Sequence, residues 1–281
     1  MANPPGSTVS QAEKLAAVSF ALALFLLFNA PASAPLPLLF FLTLCFIAPF
    51  FPQWGFFLPV ISAGKTGSKA VALTFDDGPS PSSTPVLLQL LKKYNYKATF
   101  FVIGNKAEKY PHLITDIVAD GHTIGNHSWR HDSLLMLRNK KNLRQDIVKT
   151  QKILAESGVR PLVFRPPAGI TNPRLKSVLF EEGLMAVTFS CRAFDHGNRK
   201  ISNLAERILR RLKPNDIILL HDIAPEPAIL LKEWKIEIDT LFSTLQKNKQ
   251  KVLPLEELIG SEVMEATETI GTGDSLSETY H

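Results

Sequence analysis

The chain has 281 residues, 45% of them hydrophobic, and 31 Lys and Arg against 26 Asp and Glu give it a formal net charge of +5. It is long enough for an ordinary globular core plus accessory segments, and its two cysteines, Cys45 and Cys191, exclude a disulfide scaffold or a cysteine metal site. The basic surplus suits an anionic partner such as lipid headgroups or a charged glycan; the lack of a basic stripe with interleaved aromatics argues against nucleic acid, and no obligate protein partner is evident.

Residues 1–14 read as an N-terminal tail and 15–62 as a membrane anchor. From Leu15 to Ile61 there is no Lys, Arg, Asp or Glu, and about 20 apolar residues suffice to cross a bilayer. The stretch therefore supplies one or two spans, the second case being a hairpin broken near "NAPASAP". A cleaved signal peptide competes for the first half, because Lys14 precedes an apolar run and "APASA" offers small residues for cleavage; the second run, from Leu36, would still hold the product to the membrane. If the segment is a hairpin, Lys14, Lys65 and Lys69 put both ends in the cytoplasm, whereas a single span separates them. The expected location is a cell membrane, a bacterial inner membrane in particular, with the side of the following domain left open.

Residues 63–260 form the main expected domain. "AVALTF" reads as a buried strand. "TPVLLQLLKKY" reads as a helix, with Ser82, Ser83 or Thr84 as its cap and Pro85 in its first turn. "ATFFVIG" is the next strand; "HLITDIVADG" and "KNLRQDIVKTQKILAESG" are helices closed by glycine. Then come the strand "PLVFRPP", the helix "PRLKSVLFEEG", the strand "LMAVTFS", the helix "SNLAERILRRL", the strand "IILLHD" and a long helix within "AILLKEWKIEIDTLFSTLQK". Such alternation predicts a mainly parallel sheet covered by helices. Residues 261–281, with five acids and no Lys or Arg, read as an acidic flexible tail.

Polar residues follow the apolar strands in "TFDD", "FRPP", "FSCRAFD" and "LLHD", the strand ends where parallel α/β folds build their sites. "HSWRH" sets His127 and His131 four apart, so a helix there would present both imidazoles on one face. With Asp77 they make a nitrogen and carboxylate set of the kind zinc accepts. Asp76 is then free to act as a base, and His221 is the candidate general acid. Asp195 can pair with His221, and Arg165 can pin Asp76 or sit near developing negative charge. Plainer readings stand beside these: "DDGP" is also an ordinary turn, and the histidines and Arg165 also suit structural hydrogen bonds.

With "TFDDGP", "GHTIGNHSWRH", "RPPAG", "FSCRAFDHG" and "LLHD" in that order, residues 69 to 250 resemble the polysaccharide deacetylase family, carbohydrate esterase family 4. The resemblance implies a distorted parallel (β/α) barrel and metal-dependent removal of N-acyl groups, acetyl or formyl, from amino sugars. It implies Asp76 as catalytic base and Asp77, His127 and His131 as ligands of a divalent metal, zinc first, with cobalt, nickel or manganese as alternatives. It also implies His221 as general acid tuned by Asp195, Arg165 as the arginine of the third motif, and the Ala168 backbone N–H as an oxyanion donor. His122 matches no ligand position and reads as structural. The chain departs from the family where Ala168 replaces an aromatic residue and where Arg192 and His196 stand in the fourth motif. The expected partner is an N-acylated amino-sugar glycan of the cell envelope, or a lipid-linked precursor of one, met beside membrane lipids. The alternative is a membrane-anchored glycan-binding domain that keeps the fold without catalysis.

Overall fold

The computed structural model describes residues 9–65, 67 and 69–267; the first eight residues, and positions 268–281 of the expected acidic tail, lie outside the described residues. In chain order the elements are α1 (Gln11–Asn29), α2 (Leu36–Ile47), β1 (Val60–Ile61), β2 (Ala70–Gly78), α3 (Thr84–Tyr94), β3 (Ala98–Val102), α4 (Gly104–Lys109), α5 (Pro111–Ala119), β4 (Thr123–Asn126), α6 (Lys140–Glu156), β5 (Val159–Pro161), β6 (Val163–Phe164), α7 (Pro173–Glu181), β7 (Met185–Val187), β8 (Cys191–Arg192), α8 (Leu204–Leu209), β9 (Ile217–His221), α9 (Leu231–Lys247), β10 (Lys251–Val252), α10 (Leu255–Ile259) and β11 (Met264–Ala266).

The main sheet runs β1-β7-β6-β4-β3-β2-β9-β8, with β10 added beside β2. All its pairings are parallel, and it curls into a half-barrel flanked by helices, the architecture expected. The residues opening the expected tail are partly built into the domain: β11 pairs antiparallel with β5, and Val263 is buried.

A strand sends successive side chains to opposite faces, and that period decides what enters the barrel. Val71, Leu73 and Phe75 of β2 pack outward with Phe100, Ile124, Ile218, Trp234 and Phe242 beneath the helices. Ala70 and Ala72 face inward with Phe101, Val163, Val187 and Ile217. Continuing the inward parity brings Thr74 and Asp76 from β2, Arg165 after β6, and Leu219 and His221 from β9 to one side of the sheet. Gly125 in β4 is needed here, because a Cβ there would lie 2.5 Å from the Phe101 ring.

Helix boundaries follow the expected signals, with one instructive difference. Ser83 occupies the N-cap position of α3, yet it makes no capping hydrogen bond. Its hydroxyl instead donates to Asp222 at 2.6 Å, as does the Thr84 hydroxyl at 2.5 Å. The buried carboxylate at the end of β9 competes for both hydroxyls and ties α3 to the sheet. Both cysteines are free.

Candidate metal centre and active site

Adjacent residues on a regular strand point to opposite faces, so Asp76 and Asp77 should not share a site. They do because the register of β2 against β3 shifts between Asp76 and Gly78, with Asp77 in the left-handed region at φ 71°. Such a bulge re-aims a side chain. The Lys106 ammonium holds the displaced Asp77 carbonyl at 2.7 Å, and the Asp222 N–H donates to the Asp76 carbonyl at 2.7 Å.

His127 and His131 do converge, but not on a helix as the four-residue spacing suggested. The segment after β4 is a loop in which Ser128 and His131 take φ 70° and 53°. Hydrogen bonds fix that path: the Ser128 N–H donates to Asn126 Oδ1 at 2.9 Å and the His131 N–H to Ser128 Oγ at 3.0 Å. The two imidazole centroids lie 4.9 Å apart.

Asp77 Oδ1 lies 3.5 Å from His127 Nε2 and 3.3 Å from His131 Nε2, and Asp77, His127 and His131 form a group able to hold one metal ion. Two further observations fit a cation there. Asp77 Oδ1 is buried with no hydrogen-bond partner among the described residues, an expensive state for a carboxylate oxygen. His127 Nδ1 lies 2.7 Å from the Arg165 carbonyl; a carbonyl only accepts, so Nδ1 carries the hydrogen and neutral His127 offers its Nε2 lone pair inward. Burial resists a charge on His127, but the nearby Asp76 and Asp77 carboxylates raise its proton affinity above the ordinary range.

Arg165, 1% exposed, is the hub behind this triad. Nη1 donates to Asp76 Oδ1 at 2.6 Å and to Thr74 Oγ1 at 2.9 Å. Nη2 and Nε reach the Thr188 and Val187 carbonyls at 2.9 and 3.3 Å. The guanidinium stacks 3.9 Å over the Phe101 ring, the ring for which Gly125 makes room. Asp76 is thereby held through one oxygen, while the other, Oδ2, faces His127 Nε2 at 3.7 Å.

On β9, His221 Nδ1 meets Asp195 Oδ2 at 2.7 Å. Asn198 locks both sides of that pair: its N–H donates to Asp195 Oδ2 at 3.2 Å and its amide to the His221 carbonyl at 3.0 Å. Burial pulls the His221 imidazolium down, yet the Asp195 hydrogen bond and charge prevail and leave its pKa raised. Reciprocally, burial would raise Asp195 but the His221 contact keeps it lowered.

These groups open into one cleft of about 580 Å³, lined by Asp76, Asp77, His127, His131, Arg165, Asp195 and His221. Ala168, exposed at φ 55°, also lines it, as do Arg192, His196 and Arg199. The Arg192 guanidinium rests 4.1 Å from the Phe194 ring centre. Every residue singled out from the sequence for the site is thus brought to the same cleft. His122 stands apart, accepting the Ala98 N–H at 3.3 Å, and burial lowers its pKa to about 4. The supporting roles of Thr74, Phe101, Lys106, Asn198 and Asp222 are not legible from the sequence. Most of their partners are distant in the chain, and of the five only Thr74 in "TFDDGP" and the final Asp of "LLHD" lie inside a quoted site motif.

The family model described as polysaccharide deacetylase matches residues 63–187. The chain is 34% identical over 207 residues to a peptidoglycan-N-acetylglucosamine deacetylase of Listeria monocytogenes, covering 73% of this chain and 42% of the relative, so it spans less than half of that protein. It is 37% identical over 158 residues to a chitooligosaccharide deacetylase of Azorhizobium caulinodans, covering 56% of this chain and 75% of the relative. A crystal structure of a peptidoglycan N-acetylglucosamine deacetylase matches with a TM-score of 0.66 at 30% identity, over 73% of this chain and 94% of that one, and shares the curled half-barrel.

Proposed function

Because the chain belongs to the polysaccharide deacetylase family, we propose that it is a metal-dependent hydrolase that removes an N-acetyl or N-formyl group from an amino sugar of a cell-envelope glycan or a lipid-linked glycan precursor. The observation that carries this reading is the joint presence, in one cleft, of a cation-ready triad and two separately supported proton-transfer groups. A glycan-binding domain has no use for Asp76 and His221 so arranged.

Asp77, His127 and His131 would hold the divalent cation, zinc first. When bound, it would supply a Lewis acid to the acyl oxygen and make a water more acidic. Asp76 is the base: its Oδ2 takes a proton from the attacking water while Arg165 keeps Oδ1 and the carboxylate plane fixed. The water oxygen bonds to the amide carbon, and the Ala168 N–H donates to the oxyanion that develops. His221, oriented through Nδ1 by Asp195, gives a proton from Nε2 to the sugar nitrogen as the C–N bond breaks. A free amine and a carboxylate leave. The same reading places residues 15–62 in a membrane as the anchor of the domain.

The test is an assay of the full chain on N-acetylated and N-formylated amino sugars, with and without added metal. Metal-dependent release of acetate or formate that is lost in Asp76→Ala is expected. A wild type no more active than Asp76→Ala across the panel overturns the proposal.

A further inference from the structure

The N-terminal helices bear on which amino sugar can reach this cleft. α1 does not simply lead away from the domain, because its first turn is built into it. Ser10 and Glu13 close a capping box, the Ala12 N–H donates to the Phe56 carbonyl at 2.9 Å, and Glu13 meets Lys176 of α7 at 2.9 Å. Ala12 is buried with Ala48, Phe56 and Phe57 against Leu135, Met136 and Leu175. The chain leaving α2 is tied to the same place, where the Thr171 N–H donates to the Pro49 carbonyl at 3.2 Å. Between these anchor points the arms pack against each other, and the small residues Ser19 and Ala23 of α1 are buried.

The outside of the hairpin is apolar and uncovered: Phe28 is 80% exposed and Phe46 77%, in a stretch free of charge from Leu15 to Ile61. The tip satisfies much of its own backbone. The N–H groups of Ala30, Ser33 and Ala34 are bonded within the hairpin, Asn29 Nδ2 donates to the Phe25 carbonyl, and Pro31, Pro35 and Pro37 have no N–H to satisfy. The free part of α1, residues 15–29, reaches about 22 Å at 1.5 Å per residue, short of the roughly 30 Å hydrocarbon core.

The loop between the cleft and the hairpin base continues the apolar surface. Leu134 and Leu137 are exposed on either side of Leu135 and Met136, which belong to the same buried cluster as Ala12. Ser133, immediately before them, lines the cleft. Exposed Lys14 at the base and exposed Arg130 on this loop complement anionic headgroups.

We infer that α1 and α2 form a hairpin that enters and leaves the bilayer through its cytoplasmic face, and that Leu134 and Leu137 seat the cleft against that face. The substrate is then an amino sugar held at the membrane surface on a lipid. This rests on the deacetylase reading and narrows its substrate class. Cations at the base and none at the tip select the cytoplasmic side, and the buried first turn of α1 makes it a structural part of the domain rather than a removable leader.

The test uses the full chain with a fluorescent protein that folds only in the cytoplasm, or a phosphatase active only outside it, fused at either end. Cytoplasmic signals at both ends, with the N-terminal fusion uncleaved, are expected; signals on opposite sides, two external signals or a cleaved N-terminus overturn the inference. For the loop, Leu137→Cys in a Cys45→Ser background is labelled with an environment-sensitive dye and reconstituted in phosphatidylglycerol-containing vesicles. Cys191 stays unlabelled, being 2% exposed with its thiol pushed up to about 12 by burial. A blue shift and quenching by lipids spin-labelled at the headgroup are expected. Quenching no stronger than for a Lys247→Cys label overturns the seating. Turnover of a soluble chitooligosaccharide by the same reconstituted protein reports separately on the deacetylase reading.

Discussion

Replacing Asp195 with Asn removes the charge facing His221 Nδ1 at 2.7 Å while keeping a side chain of the same size. Both side chains are largely shielded, at 2% and 14% exposure, so water does not replace the lost partner. Burial alone would push the His221 imidazolium down, and Asp195 is the largest influence holding it up. A hydrogen bond to a charged group is worth about 1.5–3 kcal/mol. At about 1.36 kcal/mol per pH unit, its loss should move the His221 titration down by about one to two units. The acid form is present below the raised pKa and disappears as pH rises through it, so His221 governs the alkaline limb of the kcat profile. That limb should move to lower pH in Asp195→Asn, with kcat lower by about 10- to 100-fold at pH values above the wild-type limb. The assay is amine release from a soluble N-acetylated oligosaccharide across the pH range. A limb in the wild-type position, with kcat reduced by one factor at every pH, refutes the reasoning.

Arg165→Met should destabilise the fold by about 3–5 kcal/mol, because it leaves the buried Asp76 carboxylate without its cation; urea unfolding measures this, and a loss below about 1 kcal/mol would show that Asp76 finds another partner. Asp222 has its pKa raised to about 6 by burial, against the lowering pull of the Ser83 and Thr84 hydroxyls. A carboxyl that holds its proton more tightly when folded costs stability as pH rises from its ordinary 3.8 to about 6, on the order of 3 kcal/mol across that window. Asp222→Asn should flatten this slope in urea midpoints, and an unchanged slope counts against it. Chelation should abolish activity and zinc should restore it. A zinc level of about 100 times the dissociation constant should add about 2.7 kcal/mol, several degrees in thermal midpoint, whereas His127→Ala should show no such shift.

Local pattern was enough to read β2, β3, β6, β7 and β9, because apolar runs of strand length alternate with amphipathic helices ended by glycine, and Gly121 and Gly158 do take positive φ; the four-residue β4, Thr123–Asn126, was missed, being short and carrying only one large apolar residue. The candidate residues were legible for a related reason: polar groups placed just after apolar strands have few destinations other than the strand-end cleft. The mode of convergence was not legible. Spacing suggested a helix for "HSWRH", but Ser128 and His131 sit in left-handed conformations that no local preference of Ser or His demands; the loop holds them through Asn126 and Ser128.

Short-range pattern and residue chemistry were enough to read an apolar N-terminal segment, a parallel α/β domain and the candidate ligating and proton-transfer side chains from the chain alone. The three-dimensional fold is what brings two adjacent aspartates to one site, through the bulge at Asp77 in the pairing of β2 with β3. It alone decided that Ser83 and Thr84 serve Asp222, a partner nearly 140 residues away. It also decided that both ends of the hairpin return to the domain, because burial of Ala12 in one cluster with Leu135 and Leu175 joins segments whose order in the chain says nothing of their distance in space.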